Sequence, residues 1–268
     1  MDTVLNYPRW IFAISLVSLW LSAGLGAYFE RTWSPLRDEE REHFGTVIAA
    51  TLTLLGLLIG FSFSMAINRY DQRKNYEEAE ANAIGTEYLR AGLLPTSAAE
   101  KVRSRLKEYL DQRIRFYEER GEMNVRQIDD DTNRLQAEMW SVVESVAAQQ
   151  PTPIVALAVA GMNDVLNSQG YTQAAWWNRI PASAWSLMAA IAVGCCALVG
   201  YSGHEARTPL LVVLPAVLST AFFLIADVDS PRHGIIRVRP QNLLSVAQTI
   251  EPDRSGQDRM VSETRPRQ

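Results

Sequence analysis

The sequence predicts an all-α membrane protein, with four transmembrane helices and a cytoplasmic helical domain inserted between the second and third. Three observations carry that reading. Four apolar blocks hold almost no charge. The long stretch between the second and third blocks is strongly charged and repeats its apolar residues at helical spacing. Strand-type alternation is scarce, and no internal repeat is visible. The averages conceal this segregation, because 268 residues with 47% hydrophobic and 21% charged read like a soluble protein.

The first block runs from Trp10 to Phe29 without a charged residue. At about 1.5 Å per residue it crosses a hydrocarbon core of about 30 Å. A secretory signal peptide is the rival reading, because LSAGLGA offers small residues, but the block is long for a signal and three more follow. The second block, Phe44 to Ile67, is also uncharged, and a short polar loop, 30–43, joins the two. The third runs from about Ala182 to Tyr201 and the fourth from Pro209 to Val228, separated by YSGHEART. Thr208 before Pro209 reads as a helix N-cap with proline at the first helical position. Pro215 lies inside the fourth block and frees a backbone carbonyl one turn earlier.

Four crossings place the N-terminus, the middle segment and the C-terminus on one side. That side carries Arg9, Arg69, Arg73, Lys74, Arg179, Arg232, Arg237 and Arg239 near the membrane, against Arg31, Arg37, Arg41 and Arg207 opposite. The excess assigns the first side to the cytoplasm. The expected organisation is therefore an N-terminal hairpin over 1–67, a cytoplasmic helical domain over 68–181, a C-terminal hairpin over 182–228 and a cytoplasmic tail over 229–268, largely disordered after about 252. The chain is therefore expected to be a multi-pass membrane protein with both termini cytoplasmic and the lipid bilayer as first partner.

In the middle segment Val102, Leu106, Tyr109, Leu110, Ile114 and Tyr117 share one helical face. Ile128, Leu135, Met139, Val142, Val143 and Val146 repeat the pattern after a turn at RGEMN. A less charged helix, Ile154 to Ser168, follows QQPTP. Trp176 and Trp177 stand where interfacial anchors are expected.

Several function classes drop out. A formal net charge of -4 and no basic patch with interleaved aromatics exclude a nucleic-acid reading. Cys195 and Cys196 are adjacent and set about 100° apart on a helix, so neither a disulfide nor a metal site is expected of them. His43, His204 and His233 are scattered. Asp129, Asp130 and Asp131 lack the alternation of a calcium loop and read as the solvated start of a helix. No phosphate-binding loop, dinucleotide fingerprint, zinc-protease motif or nucleophile elbow occurs. The chain is thus expected not to be an enzyme and to need no cofactor or metal.

Two stretches remain. After the second block, NRYDQR places Arg69, Asp71 and Arg73 directly behind apolar sequence, with no proline or glycine to stop the helix. Arg69 and Arg73 share a face, and Glu77 lies four residues beyond Arg73. Either the helix simply leaves the bilayer there, or this junction is the working part. At the end of the fourth block stand Asp227 and Asp229, followed by Arg232. Carboxylates at a membrane edge need hydration or a partner, and Arg69 or Arg73 would lie at the same depth, so a cross-helix ion pair is expected.

RYDQR, EANAIGTEYLRAGLLP and LIADVDSPRHGIIRV together resemble an uncharacterised bacterial family of bestrophin-like membrane proteins, from about Leu54 to Val238, which implies a bacterial inner membrane as the location. In addition, 60-GFSFSMAINRY-70 is similar to the second membrane helix of the bestrophins, pentameric ion channels that are most often anion-selective. That resemblance implies four spans, cytosolic termini, inorganic ions as partners and a pore lined by the second helix. It places Leu57 and Phe61 in an apolar neck, with Thr53 in a third position where the family is usually apolar. The acidic calcium clasp of the animal channels has no counterpart here. The leading expectation is a homo-oligomeric ion channel, anion conduction being implied by the resemblance and by Arg69 at the cytoplasmic mouth. The alternative is a non-conducting scaffold or signalling protein acting through its cytoplasmic helices.

Overall fold

The structure is a computed structural model that describes residues 7–32, 38–202 and 208–250. Arg37, His204, Arg207 and the tail after 252 lie outside them. All regular structure among the described residues is helical. The helices are α1 (Pro8–Thr32), α2 (Asp38–Arg90), α3 (Thr96–Glu118), α4 (Glu122–Gln149), α5 (Pro153–Trp177), α6 (Ala182–Tyr201), α7 (Thr208–Asp229) and α8 (Gln241–Ile250). Among the described residues four helical stretches are long and apolar enough to cross a membrane: Pro8–Thr32, one within His43–Leu93, one within Pro153–Tyr201, and Leu211–Asp229. The chain divides into two compact units. The first comprises 1–71 and 178–237, the second 72–177 and 238–268.

In the first unit α1 packs against α6 and α7. Its core gathers Leu19 and Ala23 of α1, Leu55 and Ala66 of α2, Met188 and Ala192 of α6, and Phe222 and Ile225 of α7. Lipid is as apolar as these side chains, so close approach rather than water exclusion holds such helices together. Two glycines provide it. A methyl on Gly26 would overlap the Ala197 carbonyl, and one on Gly200 would overlap the Ala23 carbonyl. Ser22 Oγ adds a hydrogen bond to the Val193 carbonyl at 2.8 Å. Cys195 and Cys196 are both free thiols in this core. Pro215 sits inside α7.

The second unit is a helical bundle. The faces expected from periodicity are buried: Val102, Leu106, Tyr109 and Leu110 of α3, and Leu135, Met139 and Val143 of α4. They cover one another, since α3 and α4 form an antiparallel pair joined at Gly121. Val246 of α8 lies 3.6 Å from the place a Gly85 side chain would take.

Three expectations need correction. The helix expected over Ile154 to Ser168 continues to Trp177, because Gly170 lies mid-helix with no neighbour obliging a break. Trp176 is not an interfacial anchor: it is 6% exposed, with its ring 4.7 Å from Phe116 and 5.5 Å from Tyr117. The Asp129–Asp131 run is not a helix start, because α4 already begins at Glu122. Arg134 offsets the run by binding Asp131 at 3.0 Å.

Candidate functional site

The face that α2 turns inward is set by a simple rhythm. Ile48, Leu55, Ser62 and Ala66 are buried, and Leu52 and Ile59 pack partly against the core. Steps of four and three residues return to one side of a helix. Leu57 and Phe61 fall two residues after Leu55 and Ile59, about 200° further round. They point away from the unit, 54% and 62% exposed. Thr53 is exposed on the same side, and its hydroxyl donates to the Ala49 carbonyl at 2.8 Å, so its polar group is used within the helix. Gly56 and Gly60 have open space beside them. Within the most apolar window of this span only 6% is buried, against 28% to 44% in the other three.

At the end of the apolar stretch, the first unit gathers charge around one carboxylate. Asp229 is buried. Arg69 Nη1 lies 3.4 Å from its Oδ1, and Arg179 Nε lies 3.7 Å from its Oδ2. The Ile180 backbone N–H donates to it as well, at 3.2 Å to Oδ2. Asp229 thus ties α2 and the segment entering α6 to the end of α7. Asp227 has a different task. Its carboxylate accepts the backbone N–H groups of Ile235 at 2.7 Å and Ile236 at 2.9 Å. It folds SPRHG back on the helix end, where a side chain on Gly234 would strike the Asp227 carbonyl. Arg232 is half-buried within this turn, and Asp71 is exposed.

Beyond Asp71 the same helix carries a buried charged stripe. In the second unit Arg73, Glu77, Glu80 and Glu87 are each no more than 1% exposed. Glu80 is the hub. Arg113 Nε of α3 donates to its Oε1, while Tyr117 Oη and Thr172 Oγ1 donate to its Oε2 at 3.2 and 3.1 Å. Three helices therefore meet on one carboxylate. Burial by itself would lower the Arg113 pKa, but the charge and hydrogen bond of Glu80 together with Tyr109 and Tyr117 outweigh it and drive it up. The Arg113 guanidinium also lies 4.3 Å from the Phe116 ring centroid. Burial, with Glu80 adding to it, pushes the Tyr117 hydroxyl up, so it stays a proton donor. Glu77 caps α8: its Oε1 accepts the N–H groups of Asn242 at 2.9 Å and Leu243 at 3.0 Å, and its Oε2 accepts Asn242 Nδ2 at 2.6 Å.

The residues singled out in the sequence thus separate into three places. Thr53, Leu57 and Phe61 share an outward face of α2. Arg69 meets Asp229, while Asp227 and Arg232 belong to the following turn. Arg73 is buried in the second unit beside a stripe whose hub, Glu80, was not singled out. The signal was present: Glu77 and Glu80 follow Arg73 at four and seven residues, on one face. Among the described residues no cluster could hold a metal ion.

Comparison with known proteins agrees with this architecture. A bacterial bestrophin homologue from Klebsiella pneumoniae carrying a tyrosine substitution superposes with a TM-score of 0.61 at 13% identity, covering 88% of this chain and 96% of its own. The same organism's homologue solved by zinc phasing gives 0.62 at 12% identity, covering 90% and 96%. A membrane protein with a single glycine substitution gives 0.63 at 12% identity, covering 89% and 96%. At such identities the likeness speaks for the fold. No curated protein sequence matches. The family model for the bestrophin-like domain, however, matches residues 13–243, which is most of the chain, and the protein therefore belongs to the bestrophin-like family.

Proposed function

We propose that this chain is one subunit of a homo-oligomeric ion channel whose pore is lined by the exposed face of α2. The bestrophin-like fold, that of a family of ion channels, supports conduction at the family level. The observation that carries the finer reading is the exposure of the second span. It leaves Leu57 and Phe61 uncovered within one subunit and has glycines at Gly56 and Gly60, where another helix can come close. Copies arranged around an axis would cover part of this face and leave the rest to water. By resemblance to the bestrophins the number of copies is five. Thr53, Leu57 and Phe61 form the neck in this reading, and an apolar ring there gates by dewetting. Arg69 and Asp71 stand at the cytoplasmic mouth in this reading. Because Arg69 is already paired with Asp229, its pull on anions is partly offset.

Conductance of the purified oligomer in planar bilayers tests the proposal. The natural chain should pass current, and Phe61→Ala should raise open probability or change selectivity severalfold. The reversal potential in a salt gradient gives the sign of the permeant ion. Silence from well-folded oligomers would refute conduction and leave the scaffold reading. Against that reading, the apolar faces of α3 and α4 are occupied by each other.

A further inference from the structure

We propose that Glu87 is a proton-dependent latch, whose neutral carboxyl lets α2 lie tightly against α5 and whose ionisation loosens that contact. The claim concerns the second unit alone and does not rest on conduction. Glu87 is 0% exposed, and both its carboxyl oxygens lack a hydrogen-bond partner among the described residues. Its neighbour on α5 is Gly161. A methyl at Gly161 would overlap Glu87 Oε2 and come within 2.7 Å of Arg90 Nη1. The helix contact is thus shaped around the carboxyl group, with no room left for another side chain.

A buried carboxylate without hydrogen bonds is far costlier than a buried carboxylic acid. The charged groups around it act in opposite directions. Arg90, one turn along α2, faces Glu87 but is drawn toward Asp164 of α5, 3.9 Å away and largely exposed. Asp164 itself repels a charge on Glu87. From α3, Arg103 is engaged elsewhere: it donates to the Tyr88 carbonyl at 3.1 Å and lies over the Tyr88 ring. A groove of about 530 Å³ runs alongside, lined by Asn82, Thr86, Arg90, Gly161, Asp164 and Ser168 among others.

Burial pushes the Glu87 carboxyl up to about 8, with Arg90 opposing and Asp164 adding to the rise. Glu87 lies in the charged part of α2, well beyond the uncharged span that ends at Ile67. The sign follows from proton binding. A carboxyl whose folded pKa exceeds its ordinary 4.5 binds more protons folded than unfolded in between. Its contribution to packing is therefore complete below that ordinary value, declines as pH rises, and is lost once pH passes about 8.

Hydrogen–deuterium exchange of the full chain in micelles reads this locally. Exchange at about pH 6.5 and about pH 9 is compared after correction for the intrinsic rate. Peptides covering 83–90 and 157–168 should exchange about tenfold faster at the higher pH, while those covering 102–117 should not. Glu87→Gln, which keeps the neutral shape, should retain slow exchange at both. Asp164→Asn should lower the midpoint of the transition and Arg90→Gln should raise it. PH-independent exchange in the natural chain, or the same transition in Glu87→Gln, would overturn the latch. If Glu87→Gln does not fold, the two midpoint shifts decide, and unmoved midpoints overturn it equally.

Discussion

Asp229→Asn asks how much the charge cluster at the end of α7 contributes. The substitution keeps volume and leaves an oxygen for the Ile180 N–H, so it removes charge and little else. At the observed 3.4 Å, a unit charge pair in an effective dielectric of about 20 gains about 5 kcal/mol before desolvation. Desolvation of Asp229 takes back a large share, because its side chain is only 4% exposed. The arginines are less buried, at 14% for Arg69 and 25% for Arg179, and recover some hydration when the carboxylate goes. The expected loss is therefore about 2 kcal/mol, below the roughly 3–5 kcal/mol for breaking a fully buried pair. Titration with denaturing detergent in mixed micelles measures it, at fixed subunit concentration because assembly stabilises by mass action. The double variant with Arg69→Gln should show a coupling of about 1 kcal/mol. A loss under about 0.5 kcal/mol, or strictly additive single effects, would refute the claim that Asp229 pins α2 to α7.

Two further outcomes follow from the second unit. Arg113→Met should destabilise the bundle by about 3–5 kcal/mol, because Glu80 is left buried without its cation. Adding Glu80→Leu should recover part of that in chemical denaturation, since the apolar pair buries no charge. Glu77→Ala should cost about 1–2 kcal/mol and speed deuterium exchange across 241–250, because the first amides of α8 lose their acceptor. Unchanged exchange there would mean that the cap does not hold the helix.

Much of the architecture was legible in the residues. Uncharged blocks such as Phe44 to Ile67 can satisfy their backbone in lipid only as helices, so length and composition mark the spans. The repeat from Val102 to Tyr117 predicts its buried face because a helix returns to one side every three or four residues. The candidate site was legible in kind but not in pairing. Asp227 and Asp229 lie two residues apart, about 200° on a helix, so one meets Arg69 while the other receives a turn. Trp176 reads as an anchor because tryptophan favours membrane interfaces, yet here its ring fills a gap beside Phe116.

Local periodicity and hydropathy are enough to set the apolar spans, the helical middle and the continuous passage of α2 into charge. Which charges meet is a matter of how the helices pack. Glu80 reaches across 33 positions to Arg113 and 92 to Thr172, and Arg69 across 160 to Asp229. Pairings at such separations depend on the rotation and approach of whole helices, set in part by contacts such as Gly26 with Ala197 and Gly200 with Ala23. A shift of one residue turns a side chain through about 100°, so no local pattern can specify its partner.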